Sequence, residues 1–405
     1  MKRIVTVGIV TIGLLMAGGY KIPEQSLNSM ALGGAYAAHT TGADTAYYNP
    51  ANMSFLGEKS YLEGAVTLAH LPAIEFTSMP PYSGESKTED IPIPHFHYVS
   101  KPRGDFRWGA SVTAPAGLSK RWDTPFQKLS AEEFTLKVAE FNPSVSYKVA
   151  DNFSIGGGVR VVYSEGVVKS DGKEFSEVVS DSDYNIKRDM EGDTVEFGYN
   201  LAMSYRPTSD INLAVTYRSK IDIEEEGTAK LYNQGVLFYD GGASVTVPLP
   251  AALNIAVSKT WEDRFTLEFN YERTYWSAYK TLDFNYDSPQ PVFDEALPKN
   301  WKDTDTFRIG ATINMDKITM MMGFALDETP VPLSTLGFEL PDSDAKIFSM
   351  GFRYQQNEQL SWGAAFLYDS KESRTVMQGT SGNYINGSFH EGGALLTTIG
   401  ISYEY

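Results

Sequence analysis

The amino-acid sequence predicts an all-β fold: a 14-stranded antiparallel transmembrane β-barrel with an N-terminal hatch, or plug, in its lumen. Three observations predict it. Apolar and polar residues alternate along many segments, very short turns alternate with long connections, and a segment of small residues follows an apolar leader. Together they indicate a closed sheet with an apolar outer face, a polar inner face in contact with water and a segment packed inside.

The leader occupies the N-terminus. Lys2 and Arg3 precede an apolar run that ends at Met16, and Ala17 offers a small residue for cleavage. The run is shorter than the roughly 20 apolar residues that a membrane-spanning helix needs. We therefore predict a signal peptide over 1–17 and export of the rest of the chain.

The hatch is predicted over 18–58 and the barrel over 59–405. The hatch segment is rich in glycine and alanine and has too few large apolar side chains to build a core of its own. Such a segment is suited to close packing inside a larger structure. It precedes the first long alternating segment directly.

Alternation with a period of two predicts the strands. Phe265, Leu267, Phe269 and Tyr271 are apolar, whereas the residues between them are polar. Counting such segments gives roughly fourteen strands, an even number, as expected for bacterial single-chain barrels. The predicted strands are 60–76, 93–101, 105–118, 134–149, 153–169, 192–206, 210–231, 242–259, 264–285, 304–315, 317–327, 345–356, 359–371 and 391–405.

The connections distinguish a membrane barrel from a soluble sandwich. Turns at 150–152, 261–263 and 315–317 are very short, whereas the connections at the opposite strand ends are long. This asymmetry is typical of outer-membrane barrels, which also place aromatic residues at strand ends. The last strand ends on Tyr405, which suits recognition by the barrel assembly machinery.

Composition excludes several other classes. The 405 residues include no cysteine, so the chain has no disulfide framework and no thiol catalysis. A net charge of −17 argues against nucleic-acid binding, which favours basic patches. A mean hydropathy of −0.27 argues against a bundle of membrane helices, but it is compatible with a barrel whose alternate residues face a wet lumen.

The hatch segment resembles a known family. Gly33-Gly34-Ala35-Tyr36-Ala37, Asp44 and the triplet Asn49, Pro50 and Ala51 are similar to the hatch of the long-chain fatty acid transporter (FadL) family of outer-membrane proteins. Further similar motifs follow in the family's order: Leu249-Pro250-Ala251, Trp276-Ser277, Trp301-Lys302-Asp303, Asp327-Glu328-Thr329-Pro330 and Leu340-Pro341-Asp342.

This resemblance implies a function. In that family a hydrophobic ligand enters from external loops, reaches a pocket above the hatch and leaves sideways through the barrel wall, with no cofactor. We therefore expect a monomer in the outer membrane of a Gram-negative bacterium, surrounded by lipid and lipopolysaccharide. Its expected ligands are hydrophobic small molecules, with long-chain fatty acids as the default.

Two places on this route have candidate residues. Trp122 and Phe126 lie in an amphipathic loop. This loop is predicted either to hold an apolar groove through which the ligand enters or to be an ordinary external loop. Pro115 and Gly117 interrupt the third strand, where proline lacks a ladder donor and glycine permits a kink. The interruption predicts either a lateral exit or the end of the strand at the membrane surface.

Charged residues on the inward faces of strands are the other binding candidates: Arg160, Glu196, Glu268, Arg308 and Arg353. An arginine there could hold a carboxylate ligand. The same residues could instead form an ion network that fastens the hatch to the wall. The chain departs here from the pattern of the fatty acid transporters, because it has Glu165 and Met320-Met321-Met322 where that resemblance implies basic residues. This leaves room for uncharged aromatic or aliphatic hydrocarbons as ligands.

Two other function classes were considered. No G-x-S-x-G turn occurs, and His95 and His97 have no evident third ligand, so we predict neither an enzyme nor a metal site and expect two exposed barrel histidines. A structural or adhesive surface barrel stays open as an alternative. An apolar pocket above the hatch would distinguish an uptake channel from such a barrel.

Overall fold

A closed antiparallel barrel forms the body of the molecule. The computed structural model describes residues 18–290, 293–377 and 385–405, so the predicted signal peptide lies outside the described residues. The barrel has fourteen strands, as predicted. Its first and last strands pair from Tyr61↔Glu404 to His70↔Leu395, and this pairing closes the ring.

The barrel strands are numbered in chain order, and four of them are broken into two segments. Their bounds are β1 Tyr61–Leu71, β2 Glu89–Val99, β3 Phe106–Thr113 and Gly117–Arg121, β4 Glu133–Ala150, β5 Phe153–Asp171, β6 Ile186–Thr208, β7 Ile211–Arg218 and Ile221–Asn233, β8 Val236–Leu249 and Ala252–Trp261, β9 Phe265–Thr274 and Phe284–Tyr286, β10 Thr304–Met315, β11 Ile318–Asp327, β12 Ala345–Gln355, β13 Leu360–Lys371 and β14 Gly393–Glu404.

The breaks in β7, β8 and β9 correct the predictions of unbroken strands over 210–231, 242–259 and 264–285. In β8 the break includes Pro250, which has no N–H for the ladder. In β7 the carbonyl of Ser219 accepts from the side chain of Arg160 instead of from a neighbouring strand. Pro250 and the contact of Arg160 with Ser219 thus interrupt the ladder at places where apolar and polar residues still alternate along the sequence.

The connections and the hatch carry the remaining elements. A four-stranded sheet joins Glu75–Thr77, Gly84–Glu85, Arg374–Val376 and Gly387–His390, and Thr281–Leu282 pairs with Leu297–Pro298. The helices are α1 Leu27–Ala31, α2 Thr45–Tyr48, α3 Pro125–Ala131 and α4 Lys173–Val179, with 3-10 turns at Pro50–Phe55, Ser182–Tyr184, Trp276–Ala278 and Leu333–Thr335. No helix among the described residues is long and apolar enough to cross a membrane.

The two faces of the wall differ as the alternation predicts. In β1, Val66 and Leu68 are 45% and 49% exposed, whereas Glu63 and Thr67 are buried. Large apolar side chains are exposed on most other strands too, among them Trp108, Phe197, Phe269, Met350 and Ile401. A belt of this kind is the lipid-facing surface of an outer-membrane barrel.

Residues 18–58 pack against inner faces from opposite sides of the ring, which is consistent with a hatch. The helix α1 contacts β11 to β14, α2 contacts β2 to β4, and the turn Pro50–Phe55 contacts β3 to β6. Most of these hatch residues are buried although few of them are large. The wall therefore supplies the core that this segment lacks.

Candidate ligand pocket and lateral opening

A small, largely apolar cavity lies inside the barrel beside the first hatch residues. Most of its lining side chains are hydrophobic or aromatic and a few are polar, which is the usual composition of small-molecule sites. The hatch, six strands and the connections around them all contribute to its lining. The lining residues are Tyr20, Leu118, Phe134, Thr135, Leu136, Gly166, Val168, Glu225, Val245, Val247, Tyr279, Leu282, Phe284, Lys299, Trp301, Glu339 and Leu340.

An aromatic cluster fixes the hatch side of this pocket. The ring of Tyr20 lies 4.7 Å from Trp276 and 5.6 Å from Trp301, measured between ring centroids. Gly19 precedes it with φ of +76°, and a Cβ there would lie 2.7 Å from the Trp276 ring, so only glycine fits. The Tyr20 hydroxyl donates to the carbonyl of Pro248, and burial raises the pKa of this phenol.

Only three charged side chains line the pocket among the described residues. Glu225 accepts from the hydroxyl of Ser164 at 2.6 Å. The ammonium of Lys299 pairs with the carboxylate of Glu339, and the two side chains are 5% and 18% exposed. Glu339 thus neutralises the charge of Lys299, and Glu225 is a second carboxylate that faces the cavity.

A groove on the loop side adjoins the pocket. It is lined by Phe126, Leu129, Phe338 and Ile385, and it shares Phe134, Val168, Leu282, Phe284, Lys299 and Glu339 with the pocket. Arg188 also lines it, and its guanidinium lies 4.4 Å from the Phe284 ring centroid. The Lys299–Glu339 ion pair therefore stands at the boundary between the two cavities.

The wall opens between β2 and β3. Their ladder runs only from Phe96↔Val112 to Val99↔Gly109, and after Thr113 the strand β3 turns away. Its second segment pairs with β4 and not with the facing part of β2. The break at Pro115 lies inside β3, because the strand resumes at Gly117. The structure thus places Pro115 between two segments of the strand, and the lateral exit stays a prediction.

The hatch backbone occupies this break. The N–H of Ile22 donates to the carbonyl of Pro115 at 2.8 Å, and the N–H of Gly117 donates to the carbonyl of Tyr20 at 2.7 Å. Lys21 and Ala116 form an antiparallel bridge between the two bonds. Hatch residues thus take the place that β2 would have in an unbroken ladder.

Gln25 extends the closure with its side chain. Its carbonyl oxygen accepts from the N–H of Ala114, and its amide donates to the carbonyl of Ala114, both at 2.8 Å. Nε2 of His97 lies 2.8 Å from the backbone carbonyl of Gln25. The side-chain amide of Gln25 therefore makes the two hydrogen bonds with Ala114 that a residue of a neighbouring β-strand would make. Sequence reasoning missed Gln25, since nothing local distinguishes it from other hatch residues.

The histidine prediction needs correction. His95 is 3% exposed and His97 is fully buried, whereas two exposed histidines were expected. Both side chains lie on the inner face of β2, where the hatch covers them. The hatch changes the exposure of a face that alternation alone assigns to a wet lumen.

The entry candidates occupy different environments. Phe126 lines the groove, as expected of an entry residue. Trp122 is fully buried, donates from Nε1 to the carbonyl of Phe338 at 2.9 Å and lies beneath the groove rather than in its lining. It supports the loop that carries the groove.

Two of the charged candidates lie near the break in β7. The Nε of Arg160 donates to Glu140 at 2.9 Å, and its Nη1 donates to the carbonyl of Ser219 at 2.7 Å. Glu196 accepts weakly from Thr194 at 3.4 Å. Neither Arg160 nor Glu196 lines the pocket or the groove, and their ligand-binding role stays a prediction.

The other charged candidates contact the hatch or its anchors. The carboxylate of Glu268 accepts from three consecutive hatch N–H groups, those of 37–39, at 2.6 to 2.9 Å. Arg308 pairs with Glu272 at 3.2 Å, and Arg353 pairs with Glu63 at 2.7 Å. These contacts favour an ion network that fastens the hatch to the wall, and ligand binding by these residues stays a prediction.

The triplet Asn49, Pro50 and Ala51 ties the hatch to the wall. Nδ2 of Asn49 donates to the carbonyl of Ala37 at 2.7 Å and to Oγ of Ser204 at 2.9 Å. Pro50 begins the 3-10 turn, where its missing N–H costs nothing. The carbonyl of Ala51 accepts from Ser154 at 2.8 Å.

Comparisons with known proteins agree with this architecture. The family model described as "Outer membrane protein transport protein (OMPP1/FadL/TodX)" matches residues 9–405. The long-chain fatty acid transport protein of Escherichia coli (strain CFT073) is 25% identical over 78% of this chain and 78% of its own. Outer membrane protein P1 of Haemophilus influenzae (strain Rd) is 23% identical over 81% of this chain and 82% of its own.

Solved structures share the fold. A Pseudomonas aeruginosa FadL homologue matches with a TM-score of 0.79 and 20% identity, covering 96% of this chain and 99% of its own. The toluene transporter TbuX of Ralstonia pickettii matches with a TM-score of 0.72 and 18% identity, covering 94% and 98%. The family consists of transport channels found in the outer membrane of Gram-negative bacteria. This chain belongs to the OMPP1/FadL/TodX family of outer-membrane transport proteins.

Proposed function

We propose that this protein takes up hydrophobic compounds by passive diffusion from the external groove, through the inner pocket, and sideways through the gap between β2 and β3. One observation carries the proposal. Tyr20 lines the pocket with its ring and closes the gap with its carbonyl. A movement of the segment 20–25 would therefore connect the pocket with the lipid.

A limited set of polar contacts holds this segment. Two backbone hydrogen bonds and the two bonds of the Gln25 side chain hold it against β3, and each contributes about 0.5–1.5 kcal/mol net. The ion pair of Lys21 with Glu272 at 2.6 Å holds the same segment to the inner wall. Ligand binding can offset the loss of these contacts, so no coupled energy source is needed.

The charges of the pocket favour uncharged ligands. A carboxylate head group would meet Glu225 and Glu339, and Lys299 is already paired. Burying an unpaired anion is costly, whereas apolar surface gains about 25 cal/mol per Å² on burial. We therefore infer a preference for neutral aliphatic or aromatic compounds.

Long-chain fatty acids are the second candidate. Arg188 makes no ion pair among the described residues and lies between the rings of Phe284 and Phe293. It offers the groove a cation that could hold a carboxylate while the tail contacts Phe126 and Leu129. The names of several relatives also point to fatty acids.

Binding and uptake of oleate and of hexadecane by the purified protein, in detergent and in liposomes, test both candidates. We expect saturable binding of hexadecane and weak binding of oleate. The variant Glu339→Gln should strengthen oleate binding, because it frees Lys299, and leave hexadecane binding unchanged. The matched control is Glu372→Gln, which breaks the exposed ion pair with Lys346.

The outcomes separate the alternatives. Tight oleate binding by the unaltered protein, without hexadecane binding, would support the fatty-acid candidate. Loss of that binding in Arg188→Gln would place the head group in the groove. Failure of both probes to bind would favour an adhesive surface barrel.

A further inference from the structure

A group of buried charges surrounds the first described residues and carries an excess of negative charge. Its carboxylates are largely buried and interact with one another and with the cations through the lumen. We call it the N-terminal charge cluster. It consists of five carboxylates, Glu24, Glu272, Asp327, Asp342 and Asp369, and three cations, Lys21, Arg308 and Lys371.

Parts of this cluster lack a partner among the described residues. Asp369 is 2% exposed, and neither of its carboxylate oxygens has a hydrogen-bond donor. Oε1 of Glu24 is also buried without a donor, and burial raises the pKa of the Glu24 carboxyl to about 7. Buried charges are normally paired, so a further positive charge at this place would stabilise the ionised form of these carboxylates.

The N-terminal end of the hatch lies directly against it. The N–H of Gly19 donates to Oδ2 of Asp342 at 3.0 Å. Gly18 lies so close that a Cβ on it would be 2.9 Å from Oδ2 of Asp327. Both glycines are buried. A charge on the nitrogen of Gly18 would therefore be inside the cluster.

We propose that signal-peptide removal creates this charge: hydrolysis of the Ala17–Gly18 bond leaves the α-ammonium of Gly18 buried against Asp327 and Asp342. Water is the second reactant. Its oxygen enters the new carboxylate of Ala17, and one of its hydrogens goes to the nitrogen of Gly18, which becomes a free amine. That amine binds a proton near neutral pH, since its usual pKa is about 7.7–8.0. The excess of carboxylates falls from two to one.

The position of this ion pair gives it a role beyond stability. Gly18 is two residues from Tyr20, whose carbonyl closes the gap in the wall. The uncleaved peptide bond carries no charge and cannot form the pair. Processing thus supplies the anchor for the segment that covers the lateral gap, so the precursor and the processed protein differ in how firmly that segment is held.

The test labels the N-terminal amine of the protein purified from outer membranes. N-terminal sequencing is expected to read Gly18 first. Reductive dimethylation of the α-amine at about pH 6.5 should be about tenfold slower in the folded protein than in urea, since well below the pKa an ion pair that raises it by one unit lowers the free amine about tenfold. Asp327→Asn and Asp342→Asn should restore much of the rate.

The control is Asp344→Asn, an exposed residue on the same connection as Asp342. It should leave the labelling rate unchanged. A mature N-terminus elsewhere, or equal labelling in the folded and unfolded protein, would overturn the proposal. The comparison of folded with unfolded protein needs no variant, so a variant that fails to fold does not decide the result, and transport activity is not involved.

Discussion

Two of the interruptions in the barrel wall are closed in different ways. Between β2 and β3 the ladder stops at Phe96↔Val112, and hatch residues complete it. Between β6 and β7 the ladder stops at Arg218↔Asn200 and resumes at Glu226↔Asp193. The first is closed by a segment from inside the lumen, and the second by side chains of the wall together with the N–H of Ser219, which donates to the carbonyl of Tyr199 at 2.9 Å.

The second closure is built from buried charge and tight packing. Glu140 lies between Arg160 and Arg218, and Arg160 also donates to the carbonyl of Ser219. A Cβ on Gly198 would lie 2.7 Å from the side chain of Ile221, so the two strands touch without a ladder. Opening this place would expose a buried ion network.

This contrast indicates which of the two interruptions is the better candidate for a passage. Backbone bonds to the hatch exchange for water or for ligand contacts at low cost, whereas separating a buried ion pair costs several kcal/mol. The proposed passage therefore lies at the gap between β2 and β3, whereas the gap between β6 and β7 is a bend in the wall whose second β7 segment carries Glu225 to the pocket.

The largest expected effect comes from stapling the first interruption. Lys21→Cys with Ala116→Cys joins bridge partners, whose Cα atoms are about 4.5–5.5 Å apart in such pairs and thus within disulfide range. Liposome uptake of hexadecane should fall to background when the chain is oxidised and return with reductant. The chain has no native cysteine, so the staple is the only disulfide.

The matched staple crosses the second interruption. Gly198→Cys with Ile221→Cys links β6 to β7, and it should leave uptake unchanged in both redox states. Equal inhibition by both staples would contradict the distinction between the two gaps.

A smaller effect is expected from removing the charge that fixes the second interruption. Arg160→Met leaves Glu140 with Arg218 alone and the carbonyl of Ser219 unpaired. Breaking a buried pair costs about 3–5 kcal/mol, so the free energy of unfolding in urea should fall, and amides of 194–198 should exchange faster. Arg264→Met, at an exposed arginine, is the control, and equal losses would argue against a special role for Arg160.

The smallest effect is expected at the first interruption. Gln25→Leu leaves the N–H and C=O of Ala114 unpaired, at about 1–3 kcal/mol for each buried group. The closed gate should weaken, so uptake should rise and trypsin should cut after Lys21 sooner. Gln356→Leu, at an exposed glutamine, should do neither. Slower uptake in the Gln25 variant would mean that Gln25 helps passage rather than closure.

Sequence reasoning predicted much of the architecture and less of the site. The alternation in β9 correctly placed Glu268 inside and Phe269 outside, because a period of two fixes the face that each residue occupies. Proline and glycine at 115 and 117 marked the bend in β3. Phe126 was predicted near the entry and lines the groove.

Strand number, the two faces of the wall and the place of the main bend could therefore be predicted from the chain, because they follow from local periodicity and local backbone chemistry. The contacts of Gln25 with Ala114, of Lys299 with Glu339 and of Gly18 with Asp327 became evident only in the folded molecule. Those partners are distant along the chain. Closure of the ring and folding of the hatch into it bring them together, and neither leaves a periodic signal.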